Sequence, residues 1–180
     1  MSSPSPDQIT DKPLLPRGLP NWHPAYLIAT GFGIGHLPKA PGTWASLAAL
    51  PLAFGIHYLG GLPILLLFVI YFFCLGWWAA HVYVTRRMLK DPGEIVIDEI
   101  AAQMAVFLIF MNTTPDWYDI VIGFLLFRLF DVWKPWPVSW ADGHIHGGFG
   151  VMFDDLLAAA YAGGALWIVN EIIVFNMATP

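Results

Sequence analysis

Charge and cysteine are scarce in this sequence. Only 12% of its 180 residues are charged, against 57% that are apolar, which is about half the charged fraction of an ordinary soluble domain and argues against a chain whose whole surface meets water. The single cysteine, Cys74, lies inside an apolar run, so a disulfide framework is excluded and no polar setting activates a thiol. The net charge of −5 gives no electrostatic footprint for nucleic acid. No Gly-Lys-Ser/Thr follows the glycines, so there is no P-loop. Asp-x-Asp-x-Thr/Val and Cys-x5-Arg are also missing, which argues against two covalent routes to phosphate chemistry. No charged-then-apolar-then-small pattern opens the chain, so no cleaved signal peptide is expected, and no internal repeat is visible.

What is present is long apolar runs. Residues 62–84 contain no Asp, Glu, Lys or Arg, and residues 156–175 are interrupted only by Asn170 and Glu171; about 20 such residues cross a bilayer core as a helix. Shorter runs at 43–58, 95–111 and 117–132 fit either spans whose ends reach the interface or embedded segments packed against the two long ones. The expected fold is all-α, an integral membrane helical bundle of four or five membrane helices with its active-site loops on the cytoplasmic side. Residues 1–20, rich in Pro and Ser, read as a flexible tail, and 21–180 as a single domain.

The cations order this topology. Lys12, Arg17 and Lys39 precede the first run, Arg86, Arg87 and Lys90 follow the second, and Arg128 and Lys134 end the fourth. The uncharged turn at 59–63 and the segment 112–117 fall on the other side. All eight cations share one face, as the positive-inside rule requires of a cytoplasmic side.

The unusual polar residues gather on that same face in three segments. The first, "GFGIGHLPKAPGTWASLAALP", is a glycine-rich entry to a helix; Thr43 or Ser46 is placed to cap that helix, and backbone N–H groups at its start suit a phosphate. It reads equally as an ordinary Gly/Pro entry loop. In the second, "DPGEIVIDEI", Asp98 and Glu99 stand about 100° apart on any shared helix, and their apolar flanks make idle charge expensive; a first-turn acidic pair bound to Arg86 or Arg87 is the plain alternative. Asp91 and Glu94 read as loop or capping residues. The third, "FRLFDVWKPWPVSWADGHIHGGFGVMFDDLLAAAYAGG", pairs Arg128 with Asp131 at i, i+3. Pro135 and Pro137 end its helix at Lys134. A loop at 139–150 then offers Asp142, His144 and His146, and Asp154 and Asp155 open the last helix. His144 reads as a surface histidine and His146, before Gly147-Gly148, as functional.

Clustered carboxylates suit Mg²⁺, a hard cation, and Arg and Lys offset phosphate charge; phosphoryl transfer needs positioning and charge stabilisation above all. The fitting substrate is a lipid whose phosphate lies at the interface. Zinc is disfavoured, because His-x-His lacks a Cys or Glu-x-x-His partner.

"GFGIGHLPKAPGTWASLAALP", "IVIDEIAAQ" and "FRLFDVWKPWPVSWADGHIHGGFGVMFDDLLAA" resemble the three signature blocks of the phosphatidylglycerophosphatase A family, over roughly residues 31–160. The resemblance implies a Mg²⁺-dependent hydrolysis of phosphatidylglycerophosphate to phosphatidylglycerol and phosphate, as a multi-pass enzyme of the bacterial inner membrane whose active site faces the cytoplasm. It implies Asp98, Glu99, Asp154 and Asp155 as first metal ligands, with Asp131 and Asp142 behind them. Arg128, Lys134 and the Gly42-Thr43 turn would hold phosphate, and His146 would protonate a leaving oxygen or orient a water. Direct attack of water is the favoured route, with a phospho-aspartate intermediate open. Two rivals are weighed. A phosphatidyl-alcohol transferase needs Asp-Gly-x-x-Ala-Arg, which "DGHIHGGFGVMFDD" lacks; a transporter needs acids at mid-span, whereas these sit at the inner ends.

Overall fold

The computed structural model describes residues 18–88, 92–109 and 115–178, with side chains to Ile173. Most of the expected tail, with Lys12 and Arg17, lies outside the described residues, as do Lys90, Asp91 and Asn112. The described residues are helical, without a strand.

A short helix α1 (Pro24–Ala29) opens on Pro24, whose missing N–H is no loss at a helix start, and His23 Nδ1 caps it by accepting the Ala25 N–H at 3.1 Å. A 3-10 turn, Gly31–His36, follows and bends through Phe32 and Gly33 at positive φ. The long element α2 (Pro41–Arg87) is broken at Gly61, with φ 67° and ψ −163°, a conformation open essentially to glycine. Pro63 just beyond prevents the helix from continuing through. The two limbs, 41–60 and 62–87, fold back on each other: Ala48 and Leu52 of the first and Tyr71, Phe72 and Leu75 of the second line one apolar cavity. The break falls inside the turn expected at 59–63, and each limb is about 30 Å or more in length.

The run at 95–111 takes the embedded form. It gives a short α3 (Ile97–Val106), eight of whose ten residues are buried, closed by the 3-10 turn Phe107–Ile109. Its apolar content serves a protein interior rather than a lipid boundary. α4 (Trp117–Trp133) starts from a reciprocal cap between Asp116 and Asp119 and ends where Lys134 turns left-handed at φ 47° before Pro135. Two expectations are corrected beyond it. Much of the expected loop at 139–150 is helix: α5 (Val138–His144) and the first turn of α6 (Gly147–Ala178). Asp154 and Asp155 therefore lie two turns inside α6 rather than at its opening. Gly147, at φ 78°, makes the sharp entry, and Gly148 lets α6 start directly against α2, where a Cβ would lie 2.2 Å from the His81 N and 2.6 Å from the Trp77 carbonyl.

α3 packs mainly on α2 and α6, and α4 on α6. Ala101 and Ala102 of α3 and Ala158, Ala159 and Ala162 of α6 are all buried; such small residues let helix backbones approach closely inside an apolar solvent. Pro41–Arg87 and Gly147–Ile173 are long and apolar enough to cross a membrane, yet only 17% and 28% of their most apolar stretches are buried. The core helix of a soluble protein would hide such a stretch, whereas here the apolar surface faces outward. Exposed aromatics flank both ends, with Trp22, Phe32, Trp133 and Trp136 at one and Tyr58 and Trp117 at the other, as in the aromatic belts of membrane proteins. The described cations, Lys39, Arg86, Arg87, Arg128 and Lys134, all cluster at the first of these ends, while Asp116, Asp119 and Glu171 lie toward the second.

Candidate functional site

At the cation-rich end, the start of α2, the segment before α3, the first turn of α3, the end of α4 and the region 142–155 surround a cavity of about 510 Å³. Gly42, Asp98, Glu99, Arg128, Asp131, Lys134, Asp142, His146, Asp154 and Asp155 all line it. The three polar segments, far apart in sequence, thus meet at one place. Among the expected site residues only Thr43 is absent from the lining; its N–H donates to the Ala40 carbonyl at 3.0 Å and closes the first turn of α2. Neither Thr43 nor Ser46 caps that helix, which begins at Pro41 behind Ala40 in the left-handed region.

The deepest part is acidic. Asp98, Glu99 and Asp155 each direct a carboxylate oxygen so that the three lie within 4.8 Å of one another. Glu99 Oε2, Asp154 Oδ1 and Asp155 Oδ2 are buried without a hydrogen-bond partner among the described residues. Packing anions together and withholding donors is unfavourable unless a cation joins them. Ligand oxygens about 2.1 Å from a common octahedral ion stand about 3–4 Å apart, so small side-chain rotations would bring this set to the spacing that a divalent cation takes. The donors are all carboxylate oxygens, without His or Cys, which favours a hard ion.

Two cations flank the acids. Arg128 Nη1 lies 2.8 Å from Asp131 Oδ2 and 3.9 Å from Glu99 Oε1, and reaches Ser46 Oγ at 3.4 Å; the i, i+3 pair is therefore made, but shared with Glu99. Lys134 Nζ donates to Asp142 Oδ1 at 2.7 Å and Asp154 Oδ2 at 2.8 Å. Burial works against the Lys134 charge, but the bonds to Asp142 and Asp154 outweigh it and lift the ammonium pKa above the ordinary lysine range. Arg86 and Arg87 do not hold the acidic pair. Arg87 lies 3.7 Å from Glu94, which also accepts from Tyr83, so Glu94 braces the segment leading into α3.

The glycines divide by role. A Cβ on Gly42 would sit 1.9 Å from Glu99 Oε1 and 3.4 Å from Arg128 Nη1, so the missing side chain at the start of α2 is what admits Glu99. A Cβ on Gly35 would instead sit 2.0 Å from the Glu94 carbonyl oxygen, and one on Gly31 3.0 Å from Val96 Cγ2. The glycine-rich turn thus supports the wall of the cavity. His146 is exposed at the mouth and donates from Nδ1 to the His144 carbonyl at 3.0 Å. His144 bonds the Trp140 carbonyl and stacks on Trp140, as a surface residue. Ser46 contributes in a way not foreseen from the sequence: it is fully buried, donates to the Gly42 carbonyl at 2.8 Å and accepts from Arg128.

An outward-apolar helical bundle that gathers six carboxylates, an arginine and a lysine at one end defines a membrane-type enzyme with a cation-accepting acidic centre. The family model described as phosphatidylglycerophosphatase A matches residues 27–170. A phosphatidylglycerophosphatase A of Escherichia coli K12 is 37% identical over 149 residues, covering 83% of this chain and 85% of that protein. Another, of Haemophilus influenzae, is 39% identical over 140 residues, covering 78% and 85%. A Bacteroides thetaiotaomicron protein whose name provisionally assigns it phosphatidylinositol-3-phosphatase activity is 33% identical over 152 residues, covering 80% and 94%. No solved structure matches the chain significantly. The chain belongs to the phosphatidylglycerophosphatase A family.

Proposed function

We propose that the protein is a Mg²⁺-dependent phosphatidylglycerophosphate phosphatase of the bacterial cytoplasmic membrane, crossing it several times with its cavity open to the cytoplasm. The observation that carries this reading is the meeting of Asp98, Glu99 and Asp155 oxygens within 4.8 Å, at the cation-rich end of an apolar bundle in a chain of this family. The positive-inside rule puts that end in the cytoplasm, and a cavity there lies level with lipid phosphates.

Asp98, Glu99 and Asp155 would hold the cation, with Asp154, Asp131 and Asp142 around them. The chemistry a bound Mg²⁺ supplies is charge neutralisation and Lewis acidity toward phosphate and water. Arg128 and Lys134, whose N–H donors face Glu99, Asp131, Asp142 and Asp154, would bind the terminal phosphate. Gly42 keeps the α2 start close to Glu99, and its backbone, which lines the cavity where that of Thr43 does not, completes the phosphate contacts. Water attacks phosphorus and gives up a proton to solvent at the cavity mouth, the bond from phosphorus to the lipid glycerol oxygen breaks, and His146, protonated at Nε2, delivers a proton to that oxygen and regains one from solvent. The products are phosphatidylglycerol and inorganic phosphate.

The test is phosphate release by purified protein from phosphatidylglycerophosphate, phosphatidylinositol 3-phosphate and phosphatidate in mixed micelles. Preference for the first is expected. A preference for the inositol lipid would keep the chemistry and overturn the substrate.

A further inference from the structure

One turn from Glu99 on α3 stands Gln103, fully buried, with neither its amide nitrogen nor its amide oxygen hydrogen-bonded among the described residues. Apart from the acidic Asp98, the other buried positions of this helix are Ile97, Ile100, Ala101, Ala102, Met104 and Val106, so an amide here departs from an otherwise apolar interior. An unpartnered buried amide is unfavourable, and each such group calls for a reason. Residues i and i+4 share a helix face with Cβ atoms about 5–6 Å apart, and the two side chains make no direct bond, so Gln103 is within reach of Glu99 through one water. Glu99 itself carries a matching deficiency: Oε1 faces Arg128 and Gly42, while Oε2 is buried without a donor. An acceptor lacking a donor and a donor lacking an acceptor are thus neighbours on one helix face.

We propose that Gln103 is a positioning residue for Glu99. Its amide N–H bonds Glu99 Oε2 through a single buried water, and so holds the carboxylate with Oε1 turned to the cavity. The inference rests on the reading of Asp98, Glu99 and Asp155 as the cation centre.

The experiment compares wild type with Gln103→Leu and Gln103→Met in detergent, reading kcat and KM for phosphatidylglycerophosphate and the Mg²⁺ concentration that gives half of the Mg²⁺-induced rise in Tm. Both apolar variants relieve an unpartnered amide, so a purely structural Gln103 gives an equal or higher Tm with turnover and Mg²⁺ response unchanged; that result overturns the proposal. The expected result is a kcat lowered about 10- to 100-fold with KM little altered, and a half-saturating Mg²⁺ concentration raised by a similar factor, as when outer partners of metal ligands are lost. Gln103→Asn, which keeps an amide able to reach through water, is expected to recover part of the loss. If Gln103→Leu does not fold, Gln103→Met, closer to glutamine in shape, carries the comparison. A wild type that responds to Mg²⁺ but releases no phosphate would count against the proposed function, while its Tm response still tests Gln103.

Discussion

The most discriminating substitution is Gly42→Ala. The new methyl would start 1.9 Å from Glu99 Oε1 and 2.8 Å from its Cδ. What it meets is the far end of a flexible side chain rather than backbone, so the fold can absorb it by moving the carboxylate. Reaching an ordinary contact of about 3.4 Å displaces that carboxylate by roughly 1.5 Å, and a misplacement of about 1 Å at a reacting centre costs about 10²-fold. Turnover is therefore expected to fall about 100-fold or more, equivalent to about 2.7 kcal/mol of barrier. Stability moves little, because alanine at a helical position is favoured over glycine by up to about 1 kcal/mol. The assay is kcat for phosphate release beside Tm in the same detergent. Near-normal turnover at normal Tm would refute the claim that Glu99 must occupy its observed place.

Three further outcomes follow from the same geometry. Gly148→Ala drives a Cβ into the backbone of His81 and Trp77, which cannot rotate away, and is expected to cost several kcal/mol of stability, at the upper end of single substitutions, seen as a large fall in Tm. Lys134→Met leaves Asp142 and Asp154 without their shared donor; the loss is expected to be about 2–3 kcal/mol, below the full figure for a buried pair because Lys134 and Asp142 are partly exposed, and turnover falls with it. Divalent cation is expected to raise the Tm of wild type and not of Asp98→Asn or Asp155→Asn, as ligand binding to the folded state requires; an equal rise in all three would move the cation elsewhere.

Much of this architecture is legible along the chain because it depends on local rules. The Gly60-Gly61-Leu62-Pro63 sequence breaks α2 where the outer turn was expected, and Pro135 ends α4 at Lys134. The acids are legible because charge beside long apolar runs demands a purpose. What escaped the sequence depends on pairs distant along the chain. That Gly35 serves Glu94 while Gly42 serves Glu99 is set by packing between segments about 60 residues apart. Likewise, the early start of α6 is permitted by Gly148, which lies directly against His81 and Trp77 of α2. Ser46 looked like a cap and is instead a rest for Arg128, and α3 is apolar because it is enclosed.

The account stands most directly on phosphate release from phosphatidylglycerophosphate by the purified protein, measured with Mg²⁺, with EDTA and in the Asp155→Asn variant. Release that needs Mg²⁺ and is lost in the variant at unchanged Tm is the expected result. Release that persists in EDTA, or no release from folded protein, would contradict the assignment of the acidic centre.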